Sequence, residues 1–307
     1  MQHHSVLLEQ SVTALVTDKN GFYVDGTFGR GGHSRRILKE LSERSSLLVI
    51  DKDPEAISQA QELALKDKRV SVYHGSFGVL QKVIHNLDGM EQLTGVLLDL
   101  GVSSPQLDDA QRGFSFNKDG PLDMRMNTAT GITAETWLAQ VDEKALADVL
   151  YQFGEERYSR RIAKAVCKYR MHDAITSTLQ LAQIIKQAHP KWENNKHPAT
   201  RSFQAIRIFI NNELSDLQNA LASILEVLTI GGRLVVISFH SLEDRIVKQF
   251  IQKEIKGGGF PVDLAITHEQ LNPRLKAIGK AVKVGGKEVN ENIRSRSAIM
   301  RVAEKIA

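Results

Sequence analysis

The segment that most constrains the fold is a glycine-rich stretch near the start of the chain. It reads Asp25-Gly26-Thr27-Phe28-Gly29-Arg30-Gly31-Gly32-His33-Ser34. An apolar run at 22–24 precedes it and a helical pattern follows it, so the order predicts a strand, a tight turn and a helix. Glycines at such a junction let the backbone approach a ligand where a Cβ would clash, and they bring bare N–H groups close to it.

Acidic residues end two further strand-like runs. Asp51 follows the apolar run at 47–50, and Asp99 follows the run at 96–98. An acid at the tip of the second strand is placed to accept hydrogen bonds from both hydroxyls of a ribose. Together with the glycine turn, Asp51 predicts a nucleoside-containing cofactor at the carboxyl ends of parallel strands.

The alternation of strands and helices predicts the fold class. Strand-like runs occupy 22–24, 47–50, 70–73 and 96–98, with helical patterns at 34–41, 54–65 and 79–84 between them. This order is typical of an α/β protein with a doubly wound, mostly parallel sheet.

A helical region interrupts this alternation. No convincing core strand appears between 107 and 201, where amphipathic helical patterns take over. Strand and helix patterns resume at 233–238, 242–255 and 298–302. We therefore expect one discontinuous domain at 1–106 and 202–307, with an inserted helical domain at 107–201. Since the insertion leaves from the carboxyl end of the fourth strand, we expect it to lie over the active site.

Composition indicates a soluble globular protein. The 307 residues are 42% apolar and 25% charged. No apolar run approaches the ~18 residues of a membrane helix, and the N-terminus lacks the pattern of a signal peptide. The single cysteine, Cys167, excludes an intrachain disulfide and a cysteine-based metal site. We expect a cytoplasmic protein without a membrane partner, and the net charge of +4 permits a nucleic-acid partner.

The glycine turn by itself is compatible with several functions. A nicotinamide fingerprint lacks its last glycine, because Ser34 stands there, and the Gly-Lys-Ser/Thr of a P-loop is absent. An S-adenosylmethionine turn needs an acidic strand end and closely spaced glycines, which are present. A tight turn without a ligand is the remaining interpretation.

The loop that starts at Asp99 suits the methylation of an exocyclic amine. It reads Asp99-Leu100-Gly101-Val102-Ser103-Ser104-Pro105-Gln106. Acceptors that hold the N–H groups bias the amine towards attack on a sulfonium methyl, and alignment supplies the rest of the catalysis. An ordinary polar turn is the alternative.

Methylation at a pyrimidine carbon usually uses a cysteine nucleophile, but Cys167 falls in an apparent amphipathic helix, which favours nitrogen or oxygen acceptors. The histidines show no metal-site spacing, so we expect no metal.

Taken together, these segments resemble a known family along nearly the whole chain: the bacterial S-adenosylmethionine-dependent small-subunit (16S) ribosomal RNA (cytosine-N4)-methyltransferases. Besides the glycine-rich segment, the matching blocks are His3-His4-Ser5-Val6-Leu7-Leu8, His74-Gly75-Ser76-Phe77, Leu98-Asp99-Leu100-Gly101-Val102-Ser103-Ser104-Pro105-Gln106-Leu107-Asp108, Gly113-Phe114-Ser115-Phe116, Gly120-Pro121-Leu122-Asp123-Met124-Arg125-Met126, Gly154-Glu155-Glu156-Arg157, His197-Pro198-Ala199-Thr200-Arg201 and Ile237-Ser238-Phe239-His240-Ser241-Leu242-Glu243-Asp244-Arg245. One departure is Ile293, where the family commonly has proline after the asparagine at 292. A proline at 293 would restrict the backbone of Asn292, so without it the entry into this loop is less restricted.

The resemblance implies a Rossmann-like class I methyltransferase with an inserted helical domain for substrate recognition. Its cofactor would be S-adenosylmethionine and its target N4 of a cytosine in the decoding region of small-subunit RNA. The implied cofactor-binding residues are Gly31, Gly32, His33, Asp51, Phe77, Asp99 and Gln106. As a hypothesis, Asp99 and the backbone of Ser103, Ser104 and Pro105 hold the amino group.

A basic segment is the candidate for RNA binding. Residues 157–170 contain six basic side chains and no acidic one, a pattern of either a solvated helix face or a phosphate-binding stripe. Given the resemblance, we expect an RNA clamp formed by Arg157, Arg160, Arg161, Lys164, Arg201, Arg294 and Arg296, with Arg207 as a further candidate. The partner would be small-subunit ribosomal RNA or the small ribosomal subunit, and the oligomeric state stays open. The rivals are a methyltransferase acting on DNA or protein and a cofactor-sensing binding protein without catalysis.

Overall fold

The computed structural model describes residues 5–87, 92–191, 197–257 and 271–307. His3 and His4 of the block His3-His4-Ser5-Val6-Leu7-Leu8, and part of the Gly- and Lys-rich segment at 256–292, whose structure the sequence does not indicate, lie outside these ranges. The chain forms two compact units, one of Met1–Gly101 with Leu214–Ala307 and one of Val102–Glu213. The α-helices are α1 Leu8–Leu15, α2 Gly32–Glu40, α3 Pro54–Lys66, α4 Leu80–His85, α5 Ser104–Asp108, α6 Ala134–Gln140, α7 Glu143–Gly154, α8 Ser159–Arg170, α9 Thr178–Ala188, α10 Thr200–Asn211, α11 Glu213–Val227, α12 Ser241–Ile255 and α13 Gly286–Glu291.

The first unit is built on one mostly parallel sheet. Its strands are β1 Phe22–Asp25, β2 Ser46–Asp51, β3 Val70–His74, β4 Leu93–Asp99, β5 Leu228–Ser238, β6 Leu275–Ala277, β7 Val282–Lys283 and β8 Ile299–Lys305. The order is β3-β2-β1-β4-β5-β8-β6, and β7 also pairs with β8. Strands β1 to β5 pair in parallel, whereas β8 runs antiparallel to β5, β6 and β7. The predicted doubly wound, Rossmann-like fold class is confirmed.

Both faces of this sheet are buried, because successive side chains of a strand point to opposite faces. Along β2, Leu48 and Ile50 belong to one apolar core, whereas Leu47 and Val49 belong to the other. Side chains of α4, α11 and α12 complete the first core, and those of α1, α2 and α3 complete the second. Because helices cover both faces, the carboxyl ends of the strands are occupied by loops. Functional residues of such sheets lie in these loops.

The second unit is helical and has its own core. Buried side chains from α6 to α10 meet there, among them Trp137, Leu146, Ile162, Leu181 and Phe203. The unit begins at Val102 and ends at Glu213, rather than at the expected 107 and 201. The reason is packing: Val102 and Phe203 at the two ends join this helical core.

Two polar side chains organise the Gly- and Asp-rich stretch at 108–131. Asn211 Nδ2 donates to the carbonyl of Met124 at 2.7 Å, and its Oδ1 accepts the N–H of Met126 at 2.7 Å. Arg112 Nη2 donates to the carbonyls of Arg125 and Met126 at 3.1 and 2.9 Å. These contacts hold Met124 at a φ of 60°, which is uncommon for a residue with a Cβ. Within the described residues, no helix is long and apolar enough to cross a membrane.

Candidate active site

Three aspartates stand at the carboxyl ends of adjacent strands. Asp25, Asp51 and Asp99 are the last residues of β1, β2 and β4, and β1 lies between the other two. Asp25 pairs in register with Val49 of β2 and with Leu97 of β4. The strand order reverses between β1 and β4, and open α/β sheets bind their ligands at this position.

The glycine-rich turn is tied to both neighbouring strands by its backbone. The N–H of Gly26 donates to the carbonyl of Leu97 at 2.9 Å, and that of Phe28 donates to the carbonyl of Ile50 at 3.0 Å. The N–H of Gly29 donates to Asp51 Oδ2 at 2.7 Å. The turn is therefore fixed before any ligand arrives, which lowers the cost of ordering it on binding.

Glycine is required at the point where the turn enters α2. Gly31 has a φ of +73°, and a Cβ built on it would lie 2.6 Å from Cζ of Phe28. A Cβ on Gly32 would overlap the hydroxyl of Ser5. Gly31 is the N-cap of α2 and no side chain caps the helix, so the backbone of the turn comes close to anything bound there.

The carboxylate of Asp25 stabilises the glycine-rich turn by accepting two hydrogen bonds from it. Ser34 Oγ donates to Asp25 Oδ2 at 2.6 Å, and the N–H of Thr27 donates to Oδ1 at 3.2 Å. The side chain is buried, and this burial raises the pKa of Asp25 to about 6 even though both hydrogen bonds favour the charged form. Since its oxygens are used within the fold, Asp25 acts as a structural anchor.

Asp51 is partly committed to the fold and partly available. Its Oδ2 accepts the N–H of Gly29, and its Oδ1 accepts the N–H of Asp53 at 2.9 Å. Burial, with smaller repulsion from Asp53 and Asp25, raises its pKa to about 6. Each carboxylate oxygen has a second lone pair, so Asp51 can still accept hydrogen bonds from two ribose hydroxyls.

Phe77 lies close to the turn. The N–H of Gly75 donates to the carbonyl of Asp51 at 2.9 Å, which ties the segment after β3 to the end of β2. The Cβ of Phe77 would lie 3.3 Å from a Cβ placed on Gly26. An aromatic ring beside the turn offers a flat apolar surface to a nucleobase.

Of the three aspartates, Asp99 has the fewest hydrogen bonds to its carboxylate in the described residues. Thr27 Oγ1 accepts its backbone N–H at 2.6 Å, and His33 Nδ1 lies 3.6 Å from Asp99 Oδ2. The other oxygen, Oδ1, is buried and has no hydrogen-bond partner in the described part of the chain. Burial first, and then repulsion from Asp25, Glu243 and Glu288, raises the pKa of Asp99 well above its usual value. An unpartnered buried oxygen is costly, so its retention indicates a ligand that supplies a donor.

The predicted loop residues after Asp99 fall in the second unit. Ser103 is the N-cap of α5, and its N–H donates to Gln106 Oε1 at 2.8 Å, while Ser103 Oγ accepts the N–H of Gln106 at 3.4 Å. This reciprocal capping box fixes the loop. The carbonyls of Ser103 and Pro105 already accept the N–H groups of Leu107 and Asp109. Among the residues proposed to hold the amine, including Ser104, Asp99 is thus the one with an unpartnered buried acceptor.

The predicted RNA-binding residues belong to both units. In the second unit, Arg157 is exposed just before α8, Arg160, Arg161 and Lys164 are exposed in its first two turns, and Arg201 is half-buried. Arg294 and Arg296 are exposed in the first unit. Arg207 differs from the expectation, because it forms a two-pronged ion pair with Glu213 at 2.8 Å for each bond. Arg207 therefore stabilises the α10–α11 junction.

The cysteine and the departure from the family motif have local explanations. Cys167 packs in α8 at the edge of the helical core, and burial raises the pKa of its thiol. Asn292 Oδ1 accepts the N–H of Arg294 at 3.1 Å, which shapes the turn in which Ile293 replaces the family's proline. Within the described ranges, no group of three or more His, Cys, Asp or Glu side chains is placed to hold a metal ion.

Sequence reasoning missed three contributors to the site. The Thr27 hydroxyl and the Ser34 hydroxyl lie in the glycine segment, where their polar character was a usable signal. Glu243 lies far along the chain and accepts the N–H of Phe239 at 2.8 Å, so only the fold reveals that its charge acts on Asp99.

Comparisons with known proteins give one consistent result. Residues 1–306 match the family described as the MraW methylase family. "Ribosomal RNA small subunit methyltransferase H" of Marinomonas sp. (strain MWYL1) is 55% identical over 306 residues, covering 100% of this chain and 98% of the relative. The proteins of the same name from Chromohalobacter salexigens and Legionella pneumophila (strain Paris) are 54% and 51% identical, covering 99% and 100% of this chain and 92% and 99% of their own.

Solved structures are much more distant. A putative rRNA-methylase from Clostridium thermocellum is 10% identical with a TM-score of 0.44, and covers 100% of this chain and 99% of its own. The assignment therefore depends on the sequence relatives and on the match along nearly the full chain. On that basis the chain belongs to the MraW methylase family of S-adenosylmethionine-dependent methyltransferases.

Proposed function

We propose that this protein transfers the methyl group of S-adenosylmethionine to the exocyclic N4 of a cytosine in the decoding region of small-subunit ribosomal RNA. The single observation that supports this most is the buried Oδ1 of Asp99, an acceptor without a donor beside the glycine turn. The names of the three relatives point to the same RNA.

The residues of the first unit fit the cofactor. Gly31, Gly32 and His33 would contact its methionine part, Asp51 its ribose and Phe77 its adenine. Gln106, the further cofactor residue that the resemblance implies, belongs to the second unit. The cofactor supplies a sulfonium methyl group, and the leaving thioether is neutral, so the chemistry requires no covalent nucleophile. What the protein must supply is alignment of the amine with that methyl group.

Asp99 is the residue that acts on the amine. The lone pair of N4 is delocalised into the cytosine ring, which makes it a poor nucleophile. An N–H···Oδ1 hydrogen bond to Asp99 would hold the amino group and polarise it as positive charge develops during transfer. After transfer, N4 loses one proton, for which the same oxygen is the nearest acceptor in this mechanism.

The charges on α8 support RNA as the substrate. Arg160 and Arg161 lie in the first turn of α8, and no acidic residue is found there. Cations are unfavourable at the positive end of the helix dipole by about 0.3–1 kcal/mol each. Since these charges do not stabilise the helix, we infer that they bind phosphates of the RNA, and that the helical unit recognises the substrate.

The basic residues of α8 should make RNA binding sensitive to salt. Replacing Arg160, Arg161 and Lys164 by Gln removes up to three phosphate contacts, so the slope of log affinity against log salt falls by about 2, at roughly 0.7 for each contact to a single strand. RNA affinity is measured by filter binding across a salt series. Lys19→Gln, an exposed lysine of the first unit, is the matched control and leaves the slope unchanged. An unaltered slope in the triple variant would remove α8 from the RNA interface.

The carboxylate of Asp51 should contribute to the affinity for the cofactor. Asp51→Asn keeps one oxygen for the fold but loses the charge and one acceptor, so we expect S-adenosylmethionine to bind about 10- to 100-fold more weakly, as for the loss of charge-assisted hydrogen bonds. Calorimetric titration measures this change. Asp67→Asn is the control, because Asp67 pairs with Arg69 in the same unit at 2.6 Å and lies outside the proposed site. Equal affinities for the two variants would mean that Asp51 does not contact the ribose.

The cellular experiment tests the substrate. Ribosomal RNA from cells lacking the protein is mapped by mass spectrometry, and we expect one N4-methylcytidine to disappear from the decoding region. An unchanged set of methylcytidines would reject the function and leave DNA or protein as the target. The relatives are bacterial, and bacterial ribosomal RNA lies in the cytoplasm, so we infer that the protein acts there on the RNA or the small subunit.

A further inference from the structure

His33 lies between a backbone carbonyl and Asp99. It is the second residue of α2 and is 4% exposed. Its Nε2 lies 3.2 Å from the carbonyl oxygen of Val6. A carbonyl oxygen can only accept, so this contact requires the hydrogen on Nε2. In a neutral ring, Nδ1 then carries a lone pair and can only accept.

The second nitrogen, Nδ1, faces Asp99. It lies 3.6 Å from Oδ2, an ion-pair distance that is longer than a hydrogen bond. A neutral imidazole with its hydrogen on Nε2 would point a lone pair at a charged carboxylate, and the two would repel. One proton between Nδ1 and Oδ2 removes the repulsion, either on the carboxyl group or on the ring. Hydrogen bonds of this type are often long before ligands bind and tighten afterwards.

The surrounding charges favour retention of that proton. Asp25, Glu243 and Glu288 all repel a negative charge on Asp99. Asp25 is bonded to Ser34, Glu243 accepts backbone N–H groups at the start of α12, and Glu288 accepts the N–H of Leu7 at 2.8 Å. These acids are held by other partners, so His33 is the basic group at ion-pair distance from Asp99 in the described residues.

We propose that His33 is a positioning residue that keeps one shared proton on the Oδ2 side of Asp99, so that Oδ1 always accepts the N–H of the target amine. This inference rests on the proposed function. In the neutral form Oδ1 is the carbonyl oxygen of the acid, and in the ion-pair form it is a carboxylate oxygen, so it accepts in both. Without His33, the acid can carry its proton on Oδ1 and would then present a donor to the amine.

The proton balance of the transfer is complete with this pair. The carbon–sulfur bond breaks with its electrons going to sulfur, and the lone pair of N4 forms the new bond to the methyl carbon. The N–H bond of N4 then breaks and leaves its electrons on nitrogen. The released proton passes to Oδ1 of the carboxylate in the ion-pair form and from there to water.

Two substitutions test the role by pH dependence. His33→Ala removes the group that holds the proton on Oδ2, so below the pKa of Asp99 about half of the neutral acid carries its proton on Oδ1 and kcat/KM should fall about twofold. Activity should recover above that pKa as the carboxylate forms. His33→Asn can turn its amide oxygen towards Oδ2 and accept the O–H there, so its profile should be flat like that of the wild type, at a lower level. Parallel profiles for the wild type and His33→Ala would overturn the proposal, because a purely structural defect lowers activity equally at each pH.

The control is His189→Asn. His189 is also a buried histidine beside a carboxylate, with Nε2 3.6 Å from Glu156 Oε1 in the second unit. Its variant should keep the wild-type pH profile, and thermal melting checks that each variant folds. If His33→Ala does not fold, His33→Asn decides: a flat profile supports the proposal, and a fall in kcat/KM below the pKa of Asp99 contradicts it.

A readout without activity separates this inference from the proposed function. In protein labelled with ¹⁵N-histidine, the His33 signals should show a hydrogen fixed on Nε2 and a shared proton at Nδ1, and the Nδ1 signal should change in Asp99→Asn. A His33 signal that does not respond to Asp99→Asn would overturn the inference, even if the enzyme methylates N4. A responsive signal in an enzyme that does not methylate RNA would instead reject the proposed function alone.

Discussion

Asp99→Asn should lower kcat/KM for RNA methylation about 10³-fold and leave the affinity for S-adenosylmethionine within about threefold, as for the loss of one preorganised group that acts on the transition state. This corresponds to about 4 kcal/mol of transition-state stabilisation. The reason is the unpartnered Oδ1: an amide at this position either presents N–H to the amine or loses the shared proton with His33. Single-turnover kinetics and calorimetry measure the two quantities.

The same variant should be more stable than the wild type at neutral pH. The pKa of Asp99 is raised in the folded protein, so its contribution to stability is complete below the unfolded value of 3.8 and is lost as pH rises through the folded pKa. Asn does not ionise and escapes the repulsion from Asp25, Glu243 and Glu288. The melting temperatures of the two proteins should therefore agree near pH 4 and diverge as pH rises. A variant that is inactive and also less stable at neutral pH would show that Asp99 is mainly structural.

Gly31→Ala should weaken the binding of S-adenosylmethionine about 100-fold while the protein stays folded. The substitution places a Cβ 2.6 Å from the ring of Phe28 at a φ of +73°. The left-handed conformation alone costs an L-residue about 1–2 kcal/mol, and relief of the clash moves the turn away from its ligand-binding position. Calorimetric titration gives the affinity, and circular dichroism confirms the fold.

Gly231→Ala separates the cost of the left-handed conformation from the effect of the clash with Phe28. Gly231 has a φ of +82°, but a Cβ there would meet no atom within 4 Å, and it lies in β5 outside the site. The control variant should lose stability by a similar backbone cost and bind the cofactor normally. If Gly31→Ala also binds normally, the glycine turn does not contact the cofactor.

Sequence patterns located the strands and the acids that end them, because a buried parallel strand is a short apolar run and its end is the first polar residue. Asp25, Asp51 and Asp99 are found in this way. The sequence does not predict which of these aspartates are neighbours, because that depends on β4 pairing with β1 rather than with β3. The contacts His33–Asp99 and Thr27–Asp99 follow from that pairing and have no signature in the sequence.

Element ends were harder to predict where packing overrides local pattern. Helix α11 ends at Val227, because Leu228 pairs with Leu93 as the first residue of β5, and a register irregularity carries the strand past Gly231 and Gly232. A threonine often precedes a helix as its cap, but Thr200 is the first residue of α10 and Ala199 takes the capping position. The short strands β6 and β7 are recognisable only as partners of β8.

The most direct test of the central claim is methyl transfer by the purified protein. Small ribosomal subunits or their RNA, taken from cells lacking the protein, are incubated with methyl-labelled S-adenosylmethionine and digested to nucleosides. We expect label in N4-methylcytidine from a decoding-region fragment, and almost none with Asp99→Asn. Label in 5-methylcytidine, or full transfer by Asp99→Asn, would contradict it.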